Sequence, residues 1–103
     1  MNQEEFDAMR GSMEETATVM IDEYNSMVRS HTQFGIGASG RVLGERRGED
    51  ECMKGFYRIL GSARDNVEQY LEGSQRELSR ISKERNLDYQ PMKFLLLPLP
   101  NLD

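Results

Sequence analysis

At 103 residues, 37% hydrophobic and 30% charged with no Trp, the chain has room for one small domain but not for a thick, self-contained core. A formal net charge of −5 argues against a nucleic-acid binder, and a single Cys excludes an internal disulfide. No apolar run approaches the roughly 20 residues that a transmembrane helix needs.

The charge is unevenly placed. Residues 2–32 carry seven acids against Arg10 and Arg29, while the remainder of the chain is balanced. A solvated helix face explains this more simply than an acidic dock for a basic partner. The opening MNQEEFDAM has no basic segment leading into an apolar run, so a conventional signal peptide is not expected. The chain is expected to be soluble and cytoplasmic as synthesised.

Asn2 and Glu5 have capping-box spacing, which predicts a first helix from about residue 3 to 32. Its apolar residues Phe6, Met9, Met13, Ala17, Met20, Tyr24 and Met27 recur in steps of three and four, with Ile21 and Val28 widening the stripe. Gly11, Thr16 and Thr18 lower intrinsic helix propensity, so packing has to hold this helix. Arg29 and His31 are expected near its end, where cations suit the dipole. Four methionines either fill an irregular seam or form a surface adaptable to several partners.

Residues 34–48, FGIGASGRVLGERRG, contain five glycines and read as a connector rather than a continuous helix. Phe34, Ile36, Val42 and Leu43 would cap the end of a hairpin. Gly35, Gly37 and Gly40 match GxGxxG, but a helix precedes them where the dinucleotide fingerprint requires a strand. Arg41, Arg46 and Arg47 are either solvated or hold a phosphate or an acidic neighbour. A small regulator binding nucleotide or nucleic acid through this loop is a third reading, and it predicts binding that weakens with salt.

A second helix is predicted from about 49 to 87, with Glu49, Asp50 and Glu51 in its first turn. Its stripe is Met53, Phe56, Leu60, Ala63, Val67 and Tyr70, a break at Ser74, then Leu78 and Ile81. Asp50 with Lys54 and Glu72 with Arg76 are favourable i,i+4 pairs. Gly55, Gly61 and Gly73 each cost about 1 kcal/mol against Ala. That cost suggests a second backbone close to Gly61, Ser62 and Ala63, or a bend near Gly73 and Ser74. The last turns, SRISKERNLDY, are polar and lie beyond the end of the shorter first helix, so they are either frayed or held by something outside the hairpin.

Pro91 stops any helix. The tail, residues 91–103, carries Phe94, Leu95, Leu96 and Leu97 before Leu-Pro-Leu-Pro, a composition that favours an extended chain. Either it folds back over the helices, or it is a linear motif for a partner's groove or sheet edge.

Catalytic chemistry is not indicated. A nucleophile needs a base to activate it, and His31 and Cys52 share no motif. The carboxylates are scattered along helix faces, and no ligand spacing suggests a metal. The expectation is a non-enzyme without cofactor, metal or nucleic acid.

These elements make an all-α antiparallel helical hairpin over residues 1–90, completed to a four-helix bundle by a second copy or by another helical protein. The residues expected to meet that partner are Met13, Met20, Tyr24, Met27, Phe56, Leu60, Val67, Tyr70, Leu78 and Ile81 of the seam, with Phe94, Leu95, Leu96 and Leu97 of the tail. In architecture, residues 2–87 resemble the Trp-X-Gly helical-hairpin family of type VII secretion. The likeness rests on length, two amphipathic helices, and a turn with an aromatic and glycines, Phe34, Gly35 and Gly37. Ile36 stands two places after Phe34, the signature Trp is absent, and none of the four tyrosines has an acid four residues on, as the family's export signal requires. The resemblance implies a dimer exported without a signal peptide, or a targeting partner or chaperone for a larger exported protein. A self-assembling structural subunit of a phage or cell-surface apparatus is the alternative from a different class.

Overall fold

A computed structural model of the chain describes residues 1–38 and 46–100, with side chains placed for residues 1–30 and 54–100. It contains two long helices, α1 (Gln3–Ala38) and α2 (Arg46–Arg85), packed against each other, and no strand among the described residues. The molecule is a rod of 63 × 16 × 16 Å.

α1 starts where the sequence indicates. The Asn2 side-chain oxygen accepts the Glu5 N–H at 2.8 Å, and the Phe6 N–H reaches the Asn2 carbonyl at 3.0 Å. The side-chain bond satisfies one of the orphan donors of the first turn, and the second is the first regular bond of the helix. The helix then continues past the expected boundary near 32, so Gly35 and Gly37 are helical and Arg29 and His31 lie inside it. A glycine in a growing helix costs only about 1 kcal/mol and removes no hydrogen bond, unlike proline, so extending the helix is permitted. Gly40, Arg41, Val42 and Leu43 lie outside the described residues, as do the side chains of Phe34, Ile36, Arg46, Arg47 and Cys52.

α2 begins at Arg46 rather than near 49 and runs unbroken through Gly73 and Ser74, so the expected bend is not there. The other explanation for the glycines also fails. A β-carbon added at Gly55, Gly61 or Gly73 would meet nothing within 4 Å, so no second backbone passes close. α2 ends at Asn86, whose φ of 55° places it in the left-handed region that Asn tolerates better than most residues. The Leu87 N–H then returns to the Ser82 carbonyl at 2.8 Å, which is the long hydrogen bond of a Schellman cap.

Phe6, Ala17, Ile21, Tyr24 and Val28 from α1 and Leu60, Val67 and Leu78 from α2 are buried. The polar end of α2 is held, and from within the chain. Leu78 and Ser82 are buried there, Phe6 packs edge-on against Tyr89 at 5.8 Å, and Gln3 bonds to Asp88.

The tail folds back. Gln3 holds Asp88, and Asn25 holds Leu95 and Leu97, so the tail runs parallel to α1 and antiparallel to α2. The helix rise between Gln3 and Asn25 is about 33 Å at 1.5 Å per residue. The nine steps from Asp88 to Leu97 cover about 30 Å when fully stretched. The segment is therefore close to fully extended, as Pro91, Pro98 and Pro100 favour.

Candidate functional site

The helices advance about 100° per residue, and three sectors of α1 follow from that. Gln3 and Asn25 mark the side where the tail lies. Tyr24 lies about 100° away from Asn25 and faces α2; Met27 lies about 160° away, on the far side of the helix contact. Met9, Met13 and Met20 share that far sector. On α2, Arg64 and Gln75 touch the tail. From Gln75, Leu78 turns about 60° into the helix contact and Ile81 about 120°, onto the same far side as the methionines. Phe56, Ala63 and Tyr70 share that direction, and Tyr70 reaches across to the Met13 carbonyl at 3.5 Å.

The hairpin thus has two grooves. The tail fills one: Phe94, Leu96, Leu97 and Leu99 pack against the cluster of Ile21, Tyr24, Val28, Leu60 and Val67. The other carries the half-buried Met20 and Met27 at the edge of the same cluster, with Tyr70 and Ile81, and no further segment covers these among the described residues.

The ten seam positions divide between these environments. Tyr24, Leu60, Val67 and Leu78 are consumed in the intramolecular core, each at most 3% exposed. Met13, Met20, Met27, Phe56, Tyr70 and Ile81 are half-buried: Met20 and Met27 pack at the edge of that core, and Met13 also borders a small cavity with Leu78, Tyr89 and Phe94. In the tail, Phe94, Leu96 and Leu97 are turned inward onto the chain's own helices, whereas Leu95 is 74% exposed.

The filled groove recognises its occupant through the main chain. The Asn25 amide donates to the Leu95 carbonyl at 2.9 Å, and its oxygen accepts the Leu97 N–H at 3.0 Å. The Leu97 carbonyl accepts from the Tyr24 hydroxyl at 2.8 Å and from Arg64 Nε at 3.3 Å. Gln3 repeats the two-point contact on Asp88, accepting its N–H at 2.9 Å and donating to its carbonyl at 3.0 Å, and Gln75 donates to the Met92 carbonyl at 3.3 Å. Pro98 has no N–H, so Leu97 is the last donor for two residues that needs a partner. Burial raises the pKa of the Tyr24 hydroxyl, against the opposing pull of Arg64. Sequence reasoning missed Gln3, Asn25, Arg64 and Gln75. The one available signal was Asn25, a carboxamide at helical spacing from Ile21 and Val28 on the widened stripe.

The exposed charges form local helix pairs. Arg10 lies between Asp7 and Glu14, Arg64 bonds Glu68, Arg76 bonds Glu72, and Arg80 joins Glu77 to Glu84. The predicted pair Glu72 and Arg76 is among them, whereas Asp50 lies outside the described side chains. Each such pair contributes a few tenths of a kcal/mol. No group of three or more His, Cys, Asp or Glu is placed to hold a metal among the described residues, and no helix there is long and apolar enough to cross a membrane.

No protein-family model, curated protein or solved structure matches the chain.

Proposed function

We propose that this is a non-catalytic helical interaction protein, an adaptor or targeting chaperone, that docks a second helical element onto its open groove. The observation that carries this reading is the asymmetry of the two grooves: one is closed by the tail, while the other keeps a row of methionines half-buried. Thioether side chains repack readily against differently shaped neighbours, which suits a surface that accepts a helix from another molecule. A hairpin from a second copy or a related protein would convert the pair into a four-helix bundle. The hairpin architecture agrees with a role beside type VII secretion, as a partner for an exported helical protein.

Light scattering on the purified chain, beside Met20→Glu and Ile81→Glu, tests this. A dimer that either charge returns to monomer, with helicity kept, is the expected result. Association that ignores both substitutions would remove the open groove from the account.

A second reading, a self-assembling structural subunit, draws on Leu95 at 74% exposure, which offers an apolar contact on the tail, away from the open groove. A ladder of species beyond dimer would favour it.

A further inference from the structure

We infer that the tail-filled groove is a peptide-binding site that accepts the corresponding segment, residues 88–100, of a second copy of this chain, so that two hairpins exchange tails end to end.

Four features point there. The bonds to the tail's main chain come from side chains on the helices, so any chain of the same shape and register satisfies Gln3, Asn25 and Tyr24 equally well. The groove's polar side chains are amides, the Tyr24 hydroxyl and the Arg64 guanidinium, which keeps Glu68 as its partner when the tail leaves. An emptied groove therefore strands no charge, which lowers the cost of exchange.

Direction is the third feature. α2 points out of the end of the rod at Arg85, and the tail enters its groove from that same end, at Gln3. A tail that continues outward, instead of reversing, reaches the entrance of an inverted second hairpin with the polarity it already has. The reciprocal tail does the same, so the arrangement closes with two-fold symmetry.

Finally, a narrow hinge decides whether the tail enters its own groove or continues outward. The reversal depends on Asn86 at φ 55°, a conformation that β-branched residues adopt poorly. Within one molecule the tail acts at an effective concentration in the millimolar range, so exchange is a property of concentrated or hinge-altered protein.

The experiment uses the full chain. Asn86→Val should dimerise at a concentration roughly a hundredfold lower than the unsubstituted chain, about tenfold for the β-branched residue relieved from the left-handed region in each of the two protomers, with helicity unchanged. Adding Met20→Glu, in the other groove, should leave that dimer intact, and so should Asn25→Leu, because the monomer and the exchanged dimer make the same Asn25 contacts. A dimer that responds to Met20→Glu would support the open-groove reading and overturn tail exchange. So would an Asn86→Val chain that stays monomeric with its Leu97 amide as protected from hydrogen exchange as before. A second measurement does not depend on the hinge variant folding. A peptide of residues 87–100, titrated into the full chain to several millimolar, should shift the Leu97 amide resonance of the resident tail, whereas a peptide of the same residues in scrambled order should not. An unmoved resonance overturns the proposal.

Discussion

Leu97 shows how much of this molecule rests on single side chains. Its N–H and carbonyl are satisfied by Asn25, Tyr24 and Arg64, three residues on two helices that converge on this one position of the tail. Tyr24 is the component that pH can remove. Its burial raises the pKa above the ordinary tyrosine value of 10.0, so above that pH the folded chain keeps a proton that the unfolded chain has lost. Stability is then fully present below pH 10 and falls as pH rises through the folded value. Burial raises Tyr89 in the same direction, so both contribute to the decline. Tyr24→Phe should cost about 1 kcal/mol at neutral pH, since Arg64 still donates to the Leu97 carbonyl, and should make the alkaline decline shallower. Urea melts between pH 8 and 11 measure both effects. An equally steep decline in the Phe variant would mean that the Tyr24 hydroxyl does not carry it.

The helices were legible because an apolar stripe with a period near 3.6 has one regular solution, and the stripe from Phe56 to Ile81 became a single unbroken face of α2. A stripe tells which residues are covered and not what covers them. The seam was expected to be hidden between the two helices and against a second molecule, and its residues divide: Leu60 is fully buried within the chain, whereas Ile81 is only half-buried. The tail was ambiguous for the same reason: FLLLPLP has an apolar and extended character that fits an internal groove and a foreign one equally well. The glycines were misread in a different way. Gly61 and Gly73 looked like sites of close approach, yet both stand in open space on a regular helix. A β-carbon there restricts the unfolded chain and strains nothing. Gly61→Ala and Gly73→Ala should each stabilise by about 0.5–1 kcal/mol, seen as a rise in melting temperature with unchanged association. A loss of stability at Gly61 would restore the close packing that its spacing first suggested.

At the scale of the whole molecule, the tail is what lets two helices stand as a folded unit. A hairpin alone buries one seam between two cylinders, and this chain has few apolar residues to spend on it. The tail adds Phe94, Leu96, Leu97 and Leu99 over the same cluster, each half-buried. Full burial of such a side chain stabilises by about 1.5–3 kcal/mol, so four at half burial contribute roughly 3–6 kcal/mol. That is comparable to the whole net stability of a small domain, about 5 kcal/mol at the lower end. The same residues shield Ile21, Tyr24 and Leu60 from water on that side. Deleting residues 92–103 should therefore do more than change binding: the melting temperature should fall by tens of degrees or the transition lose its cooperativity, as thermal circular dichroism reports. What helicity survives should be accompanied by stronger self-association, because two grooves then lie open instead of one. A truncated chain that melts like the full one, as a monomer, would mean that α1 and α2 suffice for each other and that the tail is only a passenger on their surface.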